Sequence, residues 1–197
     1  MAGDTIKAAL LKEAERLFAL KGFENVSIRE IARAAHANSS MIFYYFTNKQ
    51  GLYNAVIESK MAVMRAILAP ERVEQKEPEE ILADYARTIG RLHAESPYFT
   101  KIFCREIRQP SDVRLIGGFI DSVRKVLLQA LADGVAAGRF RRDMEPWQTL
   151  LMLVGSLDFY FCAQPLLSLA AKGGEKDAAA FVENTLAVFL RGISEVQ

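Results

Sequence analysis

Residues 26–52, VSIREIARAAHANSSMIFYYFTNKQGL, constrain the fold more than any other stretch of the 197-residue chain. Ser27 and Glu30 stand at the spacing of a capping box, which predicts a helix beginning at Ile28. Ile28, Ile31, Ala32 and Ala35 then recur at helical spacing and give that helix one apolar face. His36-Ala37-Asn38 breaks the pattern. Ser39-Ser40 opens a second short helix carrying Met41-Ile42-Phe43-Tyr44-Tyr45-Phe46, and Asn48 is a suitable N-cap for a third. Two short helices joined by a tight turn are the shape that lays one helix in a DNA major groove. The second of them, residues 39–46, is the reading helix by position. Ile42 and Phe46 are its core residues, and Phe43 is read as packing. Asn38, Ser39, Ser40, Met41 and Tyr44 are its candidate base contacts, because Asn pairs with adenine, Ser with either base type, and Met touches a thymine methyl. Arg29, early in the preceding helix, is placed for a guanine or a phosphate. Ser27 is a helix cap first and a phosphate contact second. Lys49 offers a phosphate both a cation and the free N–H groups of a helix start.

These residues, with a long helix over 5–21 that ends in Gly22-Phe23, closely resemble the DNA-binding domain of the TetR family of one-component transcriptional regulators. The resemblance covers roughly the first 65 residues, through Ser27-Ile28-Arg29-Glu30-Ile31-Ala32, the Phe43-Tyr44-Tyr45-Phe46 block and Asn48-Lys49-Gln50-Gly51-Leu52. It implies base contacts from Arg29, Ser39, Ser40 and Met41, and backbone contacts from Ser27, Tyr45 and Lys49. Two positions depart from the family pattern. His36 stands where Gly is frequent, so a side chain must be carried through a left-handed turn. Phe43 stands where Tyr is frequent, which moves any phosphate hydrogen bond to Tyr44 or Tyr45. The Tyr44-Tyr45 pair also reads as plain amphipathic cover.

The rest of the chain carries helical periodicity and essentially no strand signal. Helices are expected over 5–21, 28–35, 39–46, 49–68, 78–94, 98–109, 112–137, 147–164 and 176–195. A flexible joint is expected at Pro70 and the charged residues 71–80. The fold class is all-α: an N-terminal three-helix helix-turn-helix domain over 1–48, a connecting helix over 49–68, and a helical ligand-binding and dimerisation domain over 69–197. Two reading helices one DNA turn apart require a two-fold symmetric protein. The candidate homodimer interface is 146–164 with 176–195, since the first of these helices is apolar nearly all round. In the body, aromatic side chains interleave with polar ones, as in a small-molecule site and equally as in an ordinary helical core. His93, Phe99, Phe103, Arg105, Phe119, Phe159 and Tyr160 are the candidate effector contacts.

Hydrophobic residues make up 51% of the chain, which argues against disorder. Residues 1–65 hold 9 Lys/Arg and 6 Asp/Glu, and the remaining residues 16 and 18, so a mildly basic N-terminal part precedes a mildly acidic body. No uninterrupted apolar run reaches the roughly 18–20 residues of a membrane span. The N-terminus lacks the apolar core of a signal peptide, so a cytoplasmic location is expected. Cys104 and Cys162 read as buried small hydrophobes. No metal or cofactor is expected, and no nucleophile–base arrangement or glycine-rich phosphate loop is present in the sequence. The leading expectation is therefore a regulator, not an enzyme. Its partners would be a double-stranded DNA operator with an inverted repeat and a small hydrophobic effector, and repression is its usual mode. Two alternatives stand beside it: an all-helical enzyme or carrier for a hydrophobic molecule, and a DNA-binding architectural protein with no effector.

Overall fold

The computed structural model describes residues 2–170 and 177–195. The described residues form α1 (Ala2–Lys21), α2 (Ile28–Ala34), α3 (Ser39–Phe46), α4 (Lys49–Ile67), α5 (Pro70–Val73), α6 (Pro78–Glu95), α7 (Pro97–Arg108), α8 (Val113–Ala136), α9 (Pro146–Cys162), α10 (Gln164–Ala170) and α11 (Ala178–Ile193). No strand occurs among them beyond one isolated antiparallel bridge, Phe140–Ser194, so the chain is all-α as expected. Two expectations fail locally. The stretch 71–80 is not simply a joint, because Pro70 at a helix N-terminus nucleates the four-residue α5. The helix expected over 147–164 ends at Cys162, and a new helix starts at Gln164. Pro165 falls in its first turn, where the missing N–H costs nothing. The expected start of the last helix at Lys176 lies outside the described residues. Cys104 and Cys162 are half-buried rather than core residues, and neither is a free thiol.

The chain divides into two compact units, Met1–Ala62 with Ser96–Ile116 and Val63–Glu95 with Gly117–Gln197. The first unit takes in α7, which the sequence assigns to the 69–197 body. The reason is direct packing and polar attachment to the N-terminal helices. Phe99 and Ile102 of α7 are buried, as are Leu10, Leu17 and Phe18 of α1 and Leu52, Tyr53 and Val56 of α4. Arg105 Nη1 donates to the Phe18 carbonyl at 3.1 Å, a cation on the last carbonyls of α1. The Tyr53 hydroxyl donates to Glu106 Oε1 at 2.6 Å, and Glu106 Oε2 accepts from Ser111 N at 2.7 Å and Ser111 Oγ at 3.0 Å. Lys60 of α4 joins Glu15 of α1 at 3.2 Å and donates to Ser96 Oγ at 2.9 Å.

The second unit is built around α6, α8, α9 and α11, with α11 packed on both α6 and α9. Leu82, Leu127, Leu131, Leu153 and Leu157 are fully buried in its core. Phe140 is fully buried too, with its ring laid on Gly134 of α8. A Cβ at Gly134 would lie 2.1 Å from a ring carbon of Phe140, whereas a Cβ at Gly118 would meet nothing within 4 Å. Two ionisable groups share this interior. Burial lowers the His93 imidazole to about 4 and raises the Asp158 carboxyl to about 6.

The packing of the second unit sets the sign of two glycine substitutions. Alanine gains about 1 kcal/mol over glycine in a helix interior, and overpacking a core costs about 1–3 kcal/mol. Gly118→Ala should therefore stabilise by about 0.5–1 kcal/mol, and Gly134→Ala should destabilise by about 1–2 kcal/mol in urea unfolding. The pH dependence has opposite signs at the two buried groups. The folded Asp158 carboxyl keeps a proton that the unfolded chain has lost, so its contribution to stability falls as pH climbs from about 4 to about 6. The unfolded chain keeps the His93 proton that the folded chain rejects, so that contribution rises as pH climbs from about 4 to about 6.5. Each slope is at most about 1.4 kcal/mol per pH unit, and in the native chain the two largely cancel. Asp158→Asn should make stability rise with pH across this window, and His93→Gln should make it fall. Unfolding titrations of both variants at several pH values check the signs.

Candidate nucleic-acid and effector sites

Within the first unit, α2 and α3 are set by their ends. Ser27 caps α2 by accepting from Glu30 N at 3.1 Å. The other half of the expected capping box does not form, because the Glu30 carboxylate pairs with Lys21 Nζ at 2.5 Å. That pairing also lowers the Glu30 carboxyl below its ordinary range. Arg29, beside it, is exposed. Helix α2 closes with His36 N on the Arg33 carbonyl at 3.2 Å and Ala37 N on the Ala32 carbonyl at 2.9 Å. This is a Schellman closure with His36 at the left-handed position, φ 51°. The residue that departs from the family pattern thus adopts the conformation expected of a glycine there.

Asn38 caps α3, its Oδ1 accepting from Ser40 N at 2.9 Å and Ser40 Oγ at 3.0 Å. Both lone pairs of that oxygen are occupied, so a two-point pairing of Asn38 with adenine requires breaking the cap. Ile42 and Phe46 point into the unit and are buried. The opposite face carries Ser40, Phe43 (55% exposed) and Tyr44 (78% exposed). Ser39 and Met41 are half-buried at the edges of that face. Tyr45 is half-buried as well, edge-on to Tyr44 with ring centroids 4.9 Å apart. Phe43 is the residue whose expected place as packing is overturned. It follows the buried Ile42 directly, and helical spacing sets it one turn after Ser40 and next to Tyr44 on the outer face. Lys49 is held back on its own unit, its Nζ donating to the Glu24 carbonyl at 3.3 Å and lying 4.4 Å over the Phe23 ring. Two of its three N–H donors stay available for a phosphate.

The candidate effector residues fall into both units. Phe99, Phe103 and Arg105 belong to α7 in the first, where the two rings lie 6.0 Å apart and Arg105 binds the end of α1. In the second unit, His93 stacks on Phe161 at 4.7 Å, Phe161 meets Tyr160 edge-on at 5.1 Å, and Tyr160 stacks on Phe181 at 3.7 Å. Phe119 is half-buried, with the Arg65 guanidinium 5.6 Å from its ring centre. Phe159 is 65% exposed, turned away from the buried Tyr160 that follows it. Tyr85 and Asp158 are among the aromatic and polar residues that the sequence interleaves in the body but not among the candidate contacts, and nothing in the sequence singles out Thr88. Asp158 carries a signal in the sequence, as the single charge in residues 146–162, the most apolar helix. Among the described residues, no group of three or more His, Cys, Asp or Glu is placed to hold a metal ion, and no helix is long and apolar enough to cross a membrane.

Residues 10–56 match the family model described as bacterial regulatory proteins, tetR family, the stretch from mid-α1 to mid-α4. The HTH-type transcriptional repressor NicS of Pseudomonas putida is 28% identical to this chain over 203 residues, covering 96% of this chain and 93% of its own. The HTH-type transcriptional regulator RutR of Escherichia coli is 23% identical over 192 residues, covering 95% of this chain and 90% of its own. Among solved structures, the transcriptional regulator FadR from Bacillus subtilis, in complex with stearoyl-CoA, shares the fold with a TM-score of 0.77 at 20% identity, covering 94% of this chain and 98% of its own. The matched helix-turn-helix, the nearly full-length similarity to transcriptional regulators and the shared helical fold agree: residues 10–56 carry the DNA-binding helices of the TetR family model, and the chain as a whole is similar to transcriptional regulators of that type.

Proposed function

We propose that this chain is a ligand-responsive repressor that binds an inverted-repeat operator as a homodimer and is released by a small hydrophobic effector. The observation that carries the reading is the outer face of α3, where Ser40, Phe43 and Tyr44 stand exposed on a helix fixed at both ends. Large aromatic side chains left in water on a reading helix are suited to thymine methyls and the sugar–phosphate edge. Arg29 extends the same surface from α2, and Lys49 and Tyr45 flank it as backbone contacts. Similarity to a repressor supports repression, and a neighbour solved with stearoyl-CoA supports an effector with apolar character. No catalytic role is assigned to the chain.

The dimer is assigned to α9 and α11, within the 146–164 and 176–195 segments named from sequence. Their outer faces expose Leu151, Met152 and Val188 and border a groove of about 660 Å³ lined by Met152, Phe181, Val188 and Phe189. Exposed apolar surface of this extent on two packed helices matches the interface of a symmetric oligomer. Helices α4 and α8 each run from one unit into the other, with divisions after Ala62 and Ile116, and α4, which follows α3 directly, is the one assigned to pass an effector signal to the reading helices. Release requires the effector to prefer the conformation that does not fit the operator.

The contacts divide into two testable classes. Lys49→Ala should weaken binding to every sequence and reduce the slope of log affinity against log salt by about 1. Arg29→Ala should alter base preference at one operator position by about 1–3 kcal/mol and leave other positions unchanged. Phe43→Ala should lower operator affinity with little change in thermal stability, because that ring is mostly exposed. Gel shifts on matched and mismatched operators at two salt concentrations read all three. Val188→Glu should leave the fold intact and yield a monomer in sedimentation velocity, with operator affinity lost in parallel. A Val188→Glu variant that remains dimeric contradicts the α9–α11 assignment.

A further inference from the structure

The second unit contains buried polar groups that its own packing leaves unsatisfied. Asp158 of α9 has a buried carboxylate oxygen, Oδ1, with no hydrogen-bond partner among the described residues. Thr88 of α6, 1% exposed, has its hydroxyl oxygen in the same condition. Buried polar atoms are almost always paired, so two unpaired ones on facing helices call for an explanation. Helices α6 and α9 pack on each other. Tyr85, one turn before Thr88, is buried, and its hydroxyl is pushed up by burial and then by the charge of Asp158. Asp158 and this side of α6 therefore face a common interior. Phe161 lies one helical turn beyond Asp158 and carries the His93 ring stacked on it at 4.7 Å, 18° from parallel. Flat rings and hydroxyls thus stand on the same stretch of α6 and α9 as the carboxylate.

We propose that this interior of the second unit, between α6 and α9, is an effector site for a flat aromatic or heteroaromatic molecule bearing a hydrogen-bond-donating nitrogen, with Asp158 as the acceptor. The inference rests on the ligand-responsive reading above and gives that site its chemistry. An ionised carboxylate only accepts, so the matching group is an N–H or a cation. Among the described residues no cation offsets the burial of Asp158, whose carboxyl moves upward through desolvation alone. His93, lowered to about 4, is neutral near pH 7 and supplies no positive charge either. A carboxylate or phosphate ligand would meet an unscreened like charge. Thr88 offers a second polar point with both donor and acceptor capacity. The His93–Phe161 pair supplies the aromatic wall.

The test uses the full chain and two pairs of probes matched in shape: indole against 1-benzofuran, and benzamidine against benzoate. Binding is read by protein-detected NMR titration, and operator affinity is read in parallel by fluorescence anisotropy. Each nitrogen donor should bind at least about tenfold more tightly than its partner, and Asp158→Leu should erase that preference. Asp158→Asn, nearly identical in shape, guards against a variant that fails to fold; it should reduce benzamidine binding more than indole binding. Thr88→Val should weaken the donors without reversing their order. Equal binding within each pair, tighter binding of benzoate, a preference that survives in both Asp158 variants, or no millimolar binding by any probe would overturn the proposal. Asp158-dependent binding with unchanged operator affinity would uphold the site and contradict the effector-controlled reading. Operator release by benzoate or benzofuran alone would do the reverse.

Discussion

An eight-residue helix does not hold its own direction in water, and α3 is eight residues long. What orients it is the corner that follows. Thr47 adopts φ 68° and ψ −44°, and Asn48 N reaches back to the Phe46 carbonyl at 2.8 Å, which makes a γ-turn centred on a β-branched residue. This is a strained backbone that survives only where its surroundings enforce it. They do so through Gly51, where a Cβ would fall 2.0 Å from the Phe46 carbonyl oxygen. Any larger residue forces α3 and α4 apart. With Asn48 Oδ1 capping Gly51 N at 2.8 Å and Ile42 and Phe46 buried, the rotation of α3 is fixed. Ser40, Phe43 and Tyr44 are left outside as a consequence of that fixed rotation.

The two units use their carboxylates in opposite ways, one fully buried and one half-buried. Glu106 is 4% exposed and fully engaged, with Tyr53 on one oxygen and Ser111 on the other. It joins α4 to the α7–α8 turn, where Asn54 adds a 3.1 Å bond to Asp112, the residue capping α8. A network satisfied at each member stiffens what it joins, which suits a unit that must present a reading helix at a fixed angle. Asp158 sits in an apolar helix with an oxygen left unpaired. Removing a charge from water without pairing it is unfavourable, and such a group is stable only if something else compensates it. The first arrangement is structural, and the second is what a ligand-completed site requires.

The helix-turn-helix was legible in the sequence because local signals fix it. Ser27, Ser39-Ser40 and Asn48 mark three helix starts, and the period of Ile31, Ile42 and Phe46 marks the inner face; the cap on the middle helix is Asn38, which reads in the sequence only as a base contact. The bounds of α3 coincide with the expectation, Ser39–Phe46. The exposure of Phe43 was not legible, since an aromatic within an apolar block reads as core until the rotation of the helix is known. The same ambiguity governs α9, where apolar residues surround the axis and neighbours such as Phe159 and Tyr160 end on opposite sides. The place of α7 was hidden for another reason. Its attachment runs through pairs far apart in sequence, Tyr53 with Glu106 and Arg105 with the Phe18 carbonyl. Local patterning carries no trace of such pairs.

The central claim is that two copies of the α3 face read a symmetric DNA site. The most direct measurement is selection of genomic fragments by the purified protein, followed by sequencing and footprinting of the enriched DNA. The account predicts a short inverted repeat near a promoter, protected on one face of the duplex, with half-site centres separated by about one helical turn or a multiple of it. Enrichment of a single asymmetric site, or no enrichment over random fragments with and without the nitrogen-donor probes, would contradict it.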